Sequence, residues 1–105
     1  MQDLKDKVVL VTGGGSGIGR AIALAFAAQK SRVAITGRTE ATLDAVAEEI
    51  RRTGAEAFPR ICDVTQKAQV ETLRQEISSR FGLVQVLVNN AGIAPAAGTF
   101  IAIAS

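Results

Sequence analysis

Residues 12–19 read Thr-Gly-Gly-Gly-Ser-Gly-Ile-Gly, and this glycine-rich spacing between an apolar run and a helical pattern makes a cradle for a phosphate group. Gly13 permits a tight turn, Gly17 removes a side chain where a diphosphate presses on the backbone, and Gly19 lets the following helix lie close to the preceding strand. The free N–H groups at the helix start, with the positive end of its dipole, attract an anion. Three other places carry polar or charged residues that can add to such a site: Arg38, Asp63-Val64 and Asn89-Asn90. Each also has a purely structural reading. Arg38 suits a solvated loop or a pair with Glu40, Asp63 suits a cap on the turn into a helix, and the asparagines suit a strand end.

The elements that position these residues alternate between strand and helix. Val8-Val9-Leu10-Val11 is continuous and apolar, as in a strand buried on both faces of a parallel sheet, so 7–12 is the first strand. Ile18, Ile22, Ala25 and Phe26 recur at helical spacing up to Gln29, and Arg32 to Thr36 is the second strand. Thr39 is placed to cap a helix that runs to about Arg52 on a stripe of Leu43, Val46, Ala47 and Ile50, with Gly54 as its stop. Ala55 to Cys62 is the third strand, and Pro59 puts it at an edge because proline cannot donate to the ladder. Thr65 is expected to cap a third helix, carried by Val70, Leu73, Ile77 and Phe81 up to Gly82, before a fourth strand over Val84 to Asn89. Residues 94–98 read as a loop and 99–105 as a short apolar tail. The fold class is therefore α/β: a doubly wound parallel sheet of four strands in the order 3-2-1-4 with three helices. The order reverses between strands 1 and 4, so the crevice opens where the glycine loop ends. The three other polar positions fall at the carboxyl ends of successive strands, where open α/β sheets bind their ligands.

Composition bounds the partners. A chain of 105 residues, 48% hydrophobic, supports one domain with a modest core. The net charge of +2 comes from 12 basic and 10 acidic residues scattered along the sequence, which leaves no basic stripe for nucleic acid or lipid. With no Tyr or Trp and only four Phe there is no stacking platform for single-stranded nucleic acid. No apolar run reaches membrane-spanning length. A single Cys and no His argue against a disulfide framework or a zinc site and favour a reducing, cytoplasmic setting. Cys62 lacks a resolving Cys or an activating His and reads as a buried, inert thiol. Arg20, just past the last glycine, reads as a solvated helix residue, and so do Glu48, Glu49, Glu71 and Glu76.

The combination of Thr12-Gly13-x-x-x-Gly17-x-Gly19, Asp63-Val64 and Asn89-Asn90-Ala91-Gly92 resembles the N-terminal nucleotide-binding half of the short-chain dehydrogenase/reductase family, from about Leu4 to Gly92. The resemblance implies a Rossmann-like fold for the single domain 1–105, with 93–105 departing from the family pattern. It implies that Gly13, Gly15, Ser16, Ile18 and Gly19 line the cofactor diphosphate and adjoining riboses. It implies that Asp63 accepts a hydrogen bond from the adenine amino group, that the Val64 backbone contacts the ring, that Asn90 touches the adenosine ribose, and that Asn89 ties the fourth strand to its neighbours.

The end of the second strand separates the two nicotinamide cofactors. An NAD site commonly carries Asp or Glu there to hold the ribose 2′-hydroxyl, whereas an Arg accommodates the 2′-phosphate of NADP. This chain reads Thr36-Gly37-Arg38-Thr39, with no carboxylate at the strand end, so NADP is the expected cofactor. The family continues beyond this region through segments that bear its catalytic Ser and Tyr-x-x-x-Lys, and this sequence contains no Tyr. The expectation is a truncated NADP-dependent oxidoreductase of carbonyl or alcohol substrates, a dinucleotide-binding fragment without turnover of its own. The alternatives are a non-catalytic nucleotide-binding or interaction module completed by another chain, and a structural remnant that binds no cofactor. Truncation leaves the fourth strand as an open edge and one sheet face uncovered, so self-association through that strand, the face or the tail is expected.

Overall fold

The computed structural model describes residues 3–15, 17–90 and 100–103. Their elements follow the order β1 (Val8–Thr12), α1 (Gly17–Ala28), β2 (Arg32–Gly37), α2 (Glu40–Arg52), β3 (Glu56–Ile61), α3 (Lys67–Arg80), β4 (Val86–Asn89) and β5 (Phe100–Ile103). Every residue of β1 is buried, because both faces of the strand are covered. Val9 and Val11 join Ala23 and Ala27 of α1 and Leu43, Val46, Ala47 and Ile50 of α2 in one apolar cluster. Val8 and Leu10 point the other way, into a second cluster with Leu73, Ile77 and Phe81. The result is a layered α/β sandwich, with α1 and α2 on one face of the sheet and α3 on the other.

The sheet order is β3-β2-β1-β4-β5, and its first four strands are parallel, as the 3-2-1-4 order requires. Stepping from β1 to β2 to β3 keeps two crossover helices on one face, and returning past β1 to β4 puts the third on the opposite face. Pro59 lies on the edge strand, opposite Ile35 of β2, where a missing N–H costs no ladder bond to a further strand.

Two expectations are corrected. The fourth strand is not an open edge: Phe100–Ile103 adds as a fifth strand, antiparallel, pairing Val86 with Ile103 and Asn89 with Phe100. A four-residue apolar run is too short to show a period, yet its β-branched and aromatic residues suit a strand and its backbone pairs with the edge groups of β4. Thr65 does not cap α3, whose N-cap is Gln66. Its N–H and hydroxyl are instead donated to Asp63 Oδ1, at 3.0 and 2.7 Å, in a local turn that competes with capping. Thr39 does sit at the N-cap of α2 but makes no side-chain cap bond; the Thr42 hydroxyl donates to its carbonyl at 3.0 Å. Gly54 closes α2 as expected, at φ +92° with its N–H donated to the Arg51 carbonyl.

Among the described residues, α3 leaves part of its sheet face uncovered. Val8, Leu10, Leu73, Phe81, Val84 and Leu87 line an apolar groove of ≈ 1090 Å³, beside which Leu83 is 77% exposed.

Candidate functional site

The glycine turn is locked to the sheet by hydrogen bonds. The Gly14 N–H donates to the Thr36 carbonyl at 3.1 Å, which ties the loop to the end of β2. Thr12, buried at the end of β1, accepts the Asn90 N–H on its hydroxyl at 2.9 Å, with Asn89 Oδ1 3.2 Å away to take the hydroxyl proton. The Asn90 side-chain amide donates to the Gly13 carbonyl at 3.4 Å. Thr12 thus clamps the ends of β1 and β4 together, with both asparagines held by it.

Gly19 is fixed by close approach. A Cβ there would lie 1.9 Å from the Gly13 carbonyl oxygen and 2.8 Å from Asn90 Nδ2, so only hydrogen fits between α1 and the turn. Gly17 is fixed by conformation, at φ +58°, and a Cβ on it would meet no atom of the described residues within 4 Å. Among the described residues the start of α1 is therefore open on that side. Its first turn holds no acidic residue to compete with an anion, and Ile18 stands 65% exposed beside it. Gly13 and Gly15 belong to the same turn; Ser16 lies outside the described residues.

Arg38 and Asp63 lie at neighbouring strand ends, those of β2 and β3, without touching. The Cys62 N–H closes the ladder by donating to the Gly37 carbonyl at 3.1 Å, which sets the Asp63 turn beside the Arg38 loop. The Thr65 hydroxyl and N–H hold the Asp63 carboxyl below its ordinary value; partial desolvation works against them, and Arg38 adds a weaker pull in the same direction. Arg38 is exposed, and among the described residues no carboxylate, Glu40 included, lies within ion-pair distance of it. Val64 is half-buried against the Leu73 and Phe81 cluster. Asp63 does form the local turn that its structural reading implied, and only one of its carboxylate oxygens is used in it.

Arg20 and Cys62 have structural roles. Arg20 is bound by Glu49, with Nε to Oε1 at 2.9 Å, so α1 and α2 are joined across their exposed sides. The Cys62 thiol is buried, and burial pushes its pKa up, opposed by the Thr36 hydroxyl and reinforced by Asp63. Ser31 is fully buried and its hydroxyl donates to the Leu4 carbonyl at 2.7 Å.

A family model described as short chain dehydrogenase matches residues 7–104. The chain belongs to the short-chain dehydrogenase family. Within that family it is 43% identical over 91 residues to "Probable oxidoreductase EphD" of Mycobacterium tuberculosis, covering 87% of this chain and 15% of the relative. It is 40% identical over 94 residues to short-chain dehydrogenase/reductase 3 of Homo sapiens, covering 89% of this chain and 31% of the relative. The fold superimposes with a TM-score of 0.82 on a short-chain type dehydrogenase/reductase from Mycobacterium marinum, at 41% identity, over 87% of this chain and 37% of that one. A variant of actinorhodin polyketide ketoreductase, solved with NADPH, gives a TM-score of 0.78 at 43% identity over 82% of this chain and 33% of that one. The chain thus spans about a third or less of the curated relatives it matches. The short-chain dehydrogenase fold explains why all the polar candidates share one sheet end, which is where parallel strands of this order present their ligand crevice.

The sequence offered Thr65 only as a helix cap and gave Gln69 no reading at all. Thr12 was legible only as the start of the glycine motif. Gln69 is exposed on α3, and its side-chain carbonyl accepts the Asp63 N–H at 2.8 Å, a contact that no spacing rule announces.

Proposed function

We propose that this chain is the dinucleotide-binding portion of an NADP-dependent short-chain dehydrogenase/reductase whose substrates are carbonyl compounds or alcohols. The observation that carries the reading is Arg38: an exposed guanidinium at the end of β2, with no ion-pair partner among the described residues and no carboxylate where an NAD site has one. The remaining residues fit the same ligand. Gly13, Gly15, Gly17 and Gly19 admit a diphosphate at the start of α1, with Ile18 as an apolar wall, and the sequence motif adds Ser16. The second Asp63 oxygen and the Val64 backbone suit an adenine edge, and Asn90 a ribose. Bound NADP supplies the two-electron redox chemistry of the family, while these residues bind and orient it. This chain binds without turnover, because its sequence has no Tyr to serve as the family's proton donor.

Titration with NADPH and NADH, followed by nicotinamide fluorescence or calorimetry, tests the proposal. Saturable binding with NADPH tighter than NADH is expected. No saturation by NADPH at millimolar concentration removes the cofactor reading, and equal affinities remove the choice of NADP. Carbonyl reduction by the pure 105-residue chain contradicts the absence of turnover.

Self-association is the second part of the proposal. With the β4 edge paired to β5, the surface that supports it is the apolar groove beside α3 with the exposed Leu83.

A further inference from the structure

We infer that Gln69 is a positioning residue for recognition of the adenine base, acting through Asp63. The inference rests on the adenine contact proposed above. The start of α3 takes up nearly every polar group of Asp63. Its N–H is donated to Gln69 Oε1 at 2.8 Å, its carbonyl accepts the Gln66 N–H at 2.9 Å, and its Oδ1 accepts both donors of Thr65. Among the described residues no protein donor reaches Oδ2, and no protein acceptor takes the Val64 N–H. What the turn leaves over is one acceptor and one donor on adjacent residues. Adenine offers the complement on one edge, an amino donor beside a ring-nitrogen acceptor. Hypoxanthine, with a carbonyl in place of the amino group, sets an acceptor against the Asp63 carboxylate.

Gln69 is the part of this arrangement with no other evident task. β3 ends at Ile61, so the Asp63 N–H lies past the ladder and has only the Gln69 side chain as partner. Gln69 itself is exposed on the first turn of α3, outside the apolar cluster on that face of the sheet, and an exposed glutamine folds back for no packing gain. The tether therefore fixes the backbone of Asp63 while Thr65 fixes its carboxylate, and the two left-over groups are held in register before a ligand arrives.

The test compares NADPH with its hypoxanthine analogue on the full chain, for the wild type, Gln69→Met and Gln69→Glu. Met keeps the length of the side chain and loses the acceptor, whereas Glu keeps an acceptor. In the wild type NADPH is expected to bind more tightly than the analogue. In Q69M this preference falls by about tenfold, the worth of one hydrogen bond to a charged or buried group, and Q69E recovers it. Amide hydrogen exchange at Asp63 is expected to speed up in Q69M and to slow again in Q69E, a readout that needs no cofactor. A Q69M protein that keeps the wild-type preference overturns the inference, and so does an equal loss for both nucleotides, which marks a merely structural role. A wild type that binds neither nucleotide overturns the proposed function and this inference together, whereas a wild type that binds both equally overturns the adenine contact and this inference but leaves the cofactor reading standing.

Discussion

Arg38 separates two cofactors that differ by one phosphate, and its exposure without an ion-pair partner is what makes it available to an anion. Replacing Arg38 with Ala is expected to weaken NADPH by about 10- to 100-fold, the range for charge-assisted bonds, and to leave NADH nearly unchanged. Parallel titrations of the two cofactors check this, and an equal loss for both contradicts it. Asp63 offers a second test at the same scale. Because Thr65 holds its folded-state pKa below the unfolded value, the Asp63 turn contributes stability that is complete above the ordinary carboxylate range and is lost as pH falls through the lowered folded value. Thr65→Val removes the larger of the two Thr65 contacts, so the Asp63 pKa rises toward its ordinary value. Carbon-detected NMR titration of the carboxyl group reads this directly, and an unmoved midpoint contradicts the assignment of the shift to Thr65. The same variant is expected to be less stable than the wild type at neutral pH and to converge with it in strong acid.

At the scale of elements, the site depends on how closely α1 lies against the turn after β1. Gly19→Ala places a methyl 1.9 Å from a backbone oxygen, which no side-chain movement relieves, so α1 must shift outward. The expected cost is on the order of 3 kcal/mol with loss of nucleotide binding, measured by urea unfolding and titration; a folded G19A protein of wild-type stability contradicts the close approach. Ile50, fully buried between α2 and the sheet, gives the contrasting case. Ile50→Ala is expected to cost roughly 2–5 kcal/mol through its cavity, while the nucleotide affinity of the molecules that remain folded is retained. Loss of affinity in folded I50A protein contradicts that separation of core from site.

At the scale of the molecule, the two sheet faces are unequally covered among the described residues. One carries α1 and α2, and the other carries α3 with an apolar groove and Leu83 at 77% exposure beside it. Such a surface favours association, so sedimentation velocity at tens of micromolar is expected to show species larger than the 10.9 kDa monomer. Leu83→Lys is expected to shift that distribution back toward the monomer. A wild type that sediments as a monomer, or an L83K protein that associates as before, contradicts the proposal for this face. The described helices include none long and apolar enough to cross a membrane.

By itself the sequence determined what local pattern can carry. A glycine-rich turn, three apolar helical stripes and three β-rich runs ending in polar residues are each written in neighbouring positions, and chain connectivity then leaves the 3-2-1-4 order as the natural arrangement. Arg38, Asp63 and Asn90 were legible as candidates because strand ends in such a sheet converge on one crevice. The tertiary structure alone decided the rest, since it brought together residues that sequence distance hides. Thr12 reaches Asn89 and Asn90 across more than seventy residues, Phe100–Ile103 closes the β4 edge that was expected to stay open, and Gln69 turns back from a helix to hold Asp63. These contacts are hydrogen bonds whose partners are set by where the chain passes in space, and no residue type or period fixes that beforehand.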